Sequence, residues 1–176
     1  MVDANQQWDR TTALRVSRSL EPFNLVWIEE PLDAYDAVGL AQLAAALDTP
    51  IASGEMLTGV TELVALIDQR SVDVLQPDVP RVGGITPYLR VVTLADHAGL
   101  QVAPHFVMEI HIHLAAAYPC ESWVEHIEWL SPLFNEQLEI SSGRMQVPGR
   151  PGLGLTLSGE SAAWRREQVE FHPRIG

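Results

Sequence analysis

Two hydrophobic patterns alternate along this chain. Short apolar runs each arrive at a polar residue: "MVDANQ" at Asp3, "NLVWIEEP" at Glu29, "TPIASGE" at Glu55, "VDVLQPD" at Asp78, "LQVAPHF" at His105 and "ESWVEHI" at Glu125. Successive polar ends lie 26, 26, 23, 27 and 20 residues apart. That is the length of one strand, one helix and two short loops. Between the runs are stripes at i, i+3, i+4, i+7: Leu40, Leu43, Ala44, Leu47; Val60, Leu63, Val64, Ile67; Ile85, Tyr88, Leu89, Val92. Each stripe predicts an amphipathic helix packed on a sheet.

Strand and helix in alternation imply an α/β fold with parallel strands and right-handed crossovers. The strand ends then all face one side, where active sites of such folds lie. Six units are visible against the eight of a complete barrel, which typically takes about 250 residues. A doubly wound sheet is the competing architecture. No Gly-rich phosphate loop follows the first run, and "GLGLTL" at Gly152 lacks the third glycine of a nucleotide fingerprint. The reading is therefore a partial (β/α) TIM-type barrel. Because "MVDANQ" already reads as the inside of a strand, a fragment lacking the first two barrel units is expected. Such a fragment, with open sheet edges, is expected to be marginally stable and inactive alone. After Glu125 the repeat stops. "NEQLEISSGRMQVPGRPGLGLTLS" reads as hairpin-like strands and turns, and "ESAAWRREQVEF" as a last short helix. The expected organisation is residues 1–130 as the barrel part and 131–176 as a loop-rich segment.

Composition changes the picture in two places. The formal charge of −12 speaks against nucleic acid as a partner and is compatible with cation binding. No apolar run nears the roughly 18 residues of a membrane helix, and the single cysteine fits a cytoplasmic setting. The five tryptophans read mostly as core or loop anchors, with Trp8 a candidate to roof a pocket.

The polar ends carry the candidate chemistry. Asp3, Glu29 and Glu55 come from three successive strands, and strands lie about 4.8 Å apart. Three carboxylates that close cannot all stay ionised without a partner, and a hard divalent cation such as Mg²⁺ supplies one. Singly, each also reads as a surface acid capping a helix. Strand alternation is expected to send Glu29 toward the other acids and its neighbour Glu30 to the opposite side, as a supporting contact. Asp78 and His105 end the next two strands; an Asp beside a His makes a general base. Glu125, one strand further, is a candidate hydrogen-bonding partner for a substrate oxygen. His111 and His113 lie in a helical stretch, where i and i+2 do not share a face, and are set aside as ligands. Gly83 and Gly84 present N–H groups to an anion or simply turn the chain into the helix at Ile85.

"DAN" at Asp3, "WIEEP" at Glu29, "SGE" at Glu55, "QPDVPRVGGIT" around Asp78 and "APHFVMEIHIHLAAA" around His105 resemble the mandelate racemase subgroup of the enolase superfamily. The tail, "EHIEWLSPLFNEQLEISSGRM" and "GLGLTLS", resembles the acid-sugar dehydratases of that subgroup. The resemblance implies Mg²⁺ on Asp3, Glu29 and Glu55, with His105 and its partner Asp78 as one acid/base. It also implies Glu125 on the enolate oxygen and Asn5 lining the pocket. Arg81 stands where many relatives carry a lysine, and is taken as substrate-binding. The implied reaction is dehydration of an acid sugar, a small carboxylate substrate, by proton abstraction alpha to the carboxylate. A racemase or epimerase, or a truncated non-catalytic chain, are the alternatives. A capping domain, against which 131–176 would pack, and a second base in a K-x-K pattern belong to the family; this sequence contains no lysine. A homo-oligomeric parent is expected.

Overall fold

The structure, a computed structural model, describes residues 1–167 and 169. The chain divides into two compact units, Met1–His126 and Ile127–Gly176. In the first, five short strands form one parallel sheet: β1 (Val2–Asp3), β2 (Ile28–Glu29), β3 (Ile51–Ser53), β4 (Val74–Leu75) and β5 (Gln101–Val102). Their order in the sheet is their order in the chain. A doubly wound sheet reverses direction at a switch point. This one never does, so it progresses as the wall of a barrel does, and it is not closed.

Helices α1 (Arg10–Leu20), α2 (Ala37–Ala46), α3 (Val60–Asp68) and α4 (Ile85–His97) fill the crossovers; α5 (Met108–Ala115) follows β5. Local chemistry starts each of the first three. Asp9 accepts the Thr12 N–H at 2.7 Å, Asp36 accepts the Gly39 N–H at 3.0 Å, and Glu62 accepts the Thr58 N–H at 2.7 Å. Asp36 also pairs with Arg10 of α1, its Oδ2 accepting Nε–H at 2.7 Å. One helix stripe, that of α4, runs out of phase with the expectation. In α4, Leu89 is 43% exposed and Ile85 is exposed, while Val91 and Ala95 are buried beside Tyr88 and Val92. In α3 the expected Leu63 is buried and Val60 and Ile67 pack against the core, with Leu66 buried beside them.

The strands have two apolar faces. Ile28, Ile51, Leu75 and Val102 join helix residues such as Leu40, Leu63 and Tyr88 in the main core. Trp27, Ala52, Val74 and Ala103 form a smaller cluster on the alternate face. That alternation follows from the period of two along a strand.

The sixth strand, expected at "ESWVEHI", does not form. Among the described residues the segment 121–127 has no regular structure. It meets β5 and its loop through side chains instead: the Ser122 hydroxyl donates to the Val102 carbonyl, and Glu125 accepts a backbone N–H. A strand requires a ladder of backbone bonds, and side-chain bonds do not build one.

The second unit contains a hairpin, β6 (Ile140–Ser141) and β7 (Arg144–Met145), antiparallel as expected, and a short helix α6 (Gly159–Ala163). The helix expected over 160–171 thus stops at Ala163, and its last residues lie outside the described ones. No helix among the described residues is long and apolar enough to cross a membrane.

Candidate metal and acid/base site

Asp3 and Glu29 sit directly opposite each other, at paired positions of β1 and β2. Glu55 lies two residues beyond β3, Asp78 three beyond β4, and His105 three beyond β5. All five therefore leave the same end of the parallel sheet.

Two of the acids have donors of their own. Asp3 accepts the Asn5 N–H at 2.8 Å and its Nδ2–H at 2.7 Å. Glu29 Oε2 accepts the indole N–H of Trp27 at 2.8 Å, two residues back on the same strand face. Glu55 faces His105, with Oε1 3.6 Å from Nε2.

The strand ends at Glu29, and Glu30 turns into the left-handed region at φ 38°. It is 1% exposed. Its Oε2 accepts from the Gln6 amide at 3.0 Å, while Oε1 is buried with no partner. Burial raises its pKa; the Gln6 bond works against this, and the charges of Asp3 and Glu29 add to it. Glu30 is thus close enough to Asp3 and Glu29 for their charges to act on it, and its bond to Gln6 is the supporting contact expected of it. Gln6 holds this arrangement in place, its Oε1 accepting the Ala34 N–H at 3.0 Å. No spacing signal marks Gln6.

Glu55 records the crowding. Burial comes first, then the charges of Glu30, Glu29 and Asp3; together they outweigh the opposing pull of His105 and push its carboxyl up to about 7. Among the described residues, no three His, Cys, Asp or Glu side chains are drawn together into a ligand shell. Yet the oxygen-only donor set, the orphaned Oε1 of Glu30 and the displaced titration of Glu55 all fit a hard divalent cation.

The histidine side of the site is tighter. His105 Nδ1 lies 2.9 Å from Asp78 Oδ2. Asp78 Oδ1 accepts the Arg81 N–H at 3.0 Å. Burial of Asp78 opposes its ionisation, but these two bonds overcome it and hold its pKa below the ordinary value. Burial likewise opposes charge on His105. The Asp78 bond, then the charges of Glu55 and Glu125, outweigh it and raise the histidine's pKa. With Nδ1 engaged by Asp78, Nε2 is the nitrogen turned to the acids.

Glu125 comes from a loop, not a strand end, and still reaches this cluster: its Oε2 accepts the Phe106 N–H at 2.6 Å. Asn5 is tied to Asp3, as above. Arg81 contributes its backbone N–H to Asp78, and the residue is exposed. The Gly83 and Gly84 N–H groups are spent on the Pro80 and Val79 carbonyls, at 3.2 and 2.8 Å. These glycines, at φ 92° and 116°, turn the chain into α4 and offer no free anion cradle.

Four of the seven non-glycine residues with positive φ, among the described residues, lie at this rim: Asn5, Gln6, Glu30 and Phe106. Such backbone costs on the order of 1–3 kcal/mol per residue and tends to gather at functional sites. It is also what sequence alternation could not foresee.

This parallel sheet with acids and a His–Asp pair at one end is matched, over residues 1–162, by the family model described as enolase C-terminal domain-like. The chain belongs to that family. It is 61% identical over 174 residues to L-talarate/galactarate dehydratase of Salmonella typhimurium, covering 99% of this chain and 44% of that protein. The solved L-talarate dehydratase of a Polaromonas species, complexed with Mg and L-glucarate, superposes with a TM-score of 0.95 at 67% identity, over 99% of this chain and 49% of the other. A 3,6-anhydro-alpha-L-galactonate cycloisomerase of Streptomyces coelicolor is 34% identical over 91% of this chain and 45% of that protein. The chain thus spans about half the length of the relatives it matches.

Proposed function

We propose that this chain is the metal and acid/base half of a Mg²⁺-dependent acid-sugar dehydratase acting on an aldarate such as galactarate or L-talarate. One observation carries the reading. Identity to two talarate dehydratases is 61% and 67%, against 34% to a cycloisomerase of the same length class.

In this reading Asp3, Glu29 and Glu55 hold the Mg²⁺. When bound, the cation supplies stabilisation of the negative charge that grows on the substrate carboxylate as its alpha proton leaves. His105 works through Nε2, because Asp78 holds Nδ1. It either takes the alpha proton or gives a proton to the departing beta-hydroxyl. The C–H electrons move into the enolate, the beta C–O bond breaks, and the hydroxyl leaves as water. The remaining enol becomes a 2-keto-3-deoxy acid. Glu125 donates a hydrogen bond to the enolate oxygens when protonated. Asn5 keeps Asp3 oriented, and Arg81 meets the substrate. A second acid/base and the cover over the substrate come from the part of the whole protein that this chain does not span. Residues 131–176 pack against that cover. The reading also carries a cytoplasmic, homo-oligomeric whole protein, which sedimentation of that protein tests.

The test is product analysis. The whole protein with Mg²⁺ and galactarate or L-talarate is expected to yield a keto-deoxy acid. Inverted substrate without loss of water would make the protein an epimerase. In the same protein His105→Ala is expected to abolish turnover while Mg²⁺ still binds by calorimetry.

A further inference from the structure

His111 was set aside as a metal ligand, and its place in the structure gives it other work. It lies on α5, the helix that begins three residues after His105, and it is fully buried. Its Nε2 accepts the backbone N–H of Val79 at 3.4 Å. Val79 follows Asp78 directly and is itself buried. The two flanking prolines, Pro77 and Pro80, have no N–H to give. The Val79 N–H is therefore the backbone donor beside Asp78 that a partner must satisfy, because a bare N–H inside the protein is destabilising.

Four further contacts fix the imidazole and the turn. Tyr88 of α4 lies against the ring, with centroids 5.0 Å apart, and its hydroxyl bonds that of Tyr118. Within the turn, the Asp78 carbonyl accepts the Val82 N–H at 3.1 Å, and the Pro77 carbonyl accepts the His105 N–H at 3.3 Å. So one side chain, carried on the helix that follows His105, reaches back under the turn that carries its partner.

We propose that His111 is a positioning residue for the Asp78–His105 pair: by accepting the Val79 N–H through Nε2, it fixes the turn from which Asp78 reaches His105. The role demands an unprotonated Nε2, so the neutral ring carries its proton on Nδ1. Nδ1 is buried without a hydrogen-bond partner, so this tautomer keeps the Val79 bond and leaves one buried ring N–H unmet. Burial is the leading cause that pushes the His111 pKa down to about 4; Asp78 pulls upward, His105 downward, and the His105 backbone upward again. His111 touches no substrate in this scheme and acts only through Asp78. The inference rests on the proposed role of the His–Asp pair.

The experiment begins with the wild-type protein labelled with ¹⁵N at histidine. At neutral pH the long-range ¹⁵N–¹H spectrum is expected to show His111 protonated on Nδ1 and bare on Nε2. The Val79 amide is expected to exchange slowly. The opposite tautomer, or a Val79 amide that exchanges like an exposed one, overturns the proposal, and neither reading needs a variant that folds. Next come His111→Phe, which keeps a ring and loses the acceptor, and His111→Gln, which restores an acceptor. In the Phe variant the His105 Nδ1–H resonance is expected to move upfield or vanish, and kcat to fall about tenfold or more at little-changed KM. The Gln variant is expected to recover part of both. A folded Phe variant with the wild-type resonance and kcat overturns the proposal. Wild-type protein without dehydratase turnover would defeat the dehydratase assignment, while the tautomer, exchange and resonance measurements still decide the role of His111.

Discussion

The two units of this chain are built on opposite economies. From Met1 to His126, side chains such as Ile28, Leu40, Leu63 and Tyr88 disappear completely from solvent and form a continuous core. From Ile127 onward, the one buried residue among those described is Gly154. Of the large apolar residues there, Leu157 and Trp164 are exposed, and Leu133, Phe134 and Leu138 are only half-buried. Order in that unit comes from hydrogen bonds. Glu136 accepts the Thr156 N–H at 2.6 Å and pairs with Arg150 at 3.2 Å, and Asn135 donates to the Leu157 carbonyl at 3.0 Å. Burial of apolar surface contributes about 25 cal/mol per Å², whereas exposed polar bonds exchange with water for little net gain. Stability is therefore expected to reside in the first unit, and substitutions of similar size should cost very different amounts in the two.

The largest effect comes from the core. Leu63→Ala and Ile28→Ala are each expected to destabilise the first unit by about 2–5 kcal/mol, read from urea denaturation. A cost under about 1 kcal/mol would mean that the core is not packed as described. Second is the cation. Mg²⁺ at one hundred times its Kd is expected to stabilise the first unit by about 2.7 kcal/mol and leave the second unchanged. The sign of the pH dependence follows from Glu55. Its folded pKa, raised to about 7, lies above the unfolded value, so without the cation the folded state binds a proton that the unfolded state releases. From Glu55, stability without Mg²⁺ therefore falls as pH rises toward about 7. The cation must displace that proton, so its stabilising effect should be greater at about pH 8 than at about pH 5. Thermal melts with and without Mg²⁺ at the two pH values measure this, and an effect that is larger at the acid pH would refute the shared-charge account of the site.

How much of this could be read beforehand divides along the same line. The 26-residue spacing located Asp3, Glu29 and Glu55 because a parallel sheet repeats with the length of its crossover, and apolar period preserves that length. The same pattern does not reach Glu30. Period-two reasoning holds only while the backbone stays extended, and there it turns to φ 38°. Phasing failed in α4, where Leu89 was expected inward and Val91 was not. A single stripe of four positions underdetermines which side of a 100° apolar arc meets the sheet. The sixth strand failed for another reason: "ESWVEHI" has strand-like residues, but pairing is a long-range event that local pattern does not encode. His111 was invisible as a functional residue because its partner is a backbone N–H 32 positions away.

Smaller substitutions sharpen the contrast. Asp36→Ala removes the cap of α2 and the ion pair to Arg10 in one step, and is expected to cost the first unit about 1 kcal/mol. Arg10→Ala alone should cost less, because the Gly39 N–H keeps its acceptor. Equal costs would assign the whole effect to the ion pair. The smallest expected change is Trp164→Ala in the second unit. Trp164 is 58% exposed and ends α6 only through its backbone N–H, which alanine keeps; exposed side chains of this kind usually change stability by less than about 0.5 kcal/mol. The side chain is as large as any in the first unit's core, so size is matched and only burial differs. A loss above about 2 kcal/mol would place Trp164 inside packed structure in solution, and the division between a core-built unit and a hydrogen-bonded one would no longer stand.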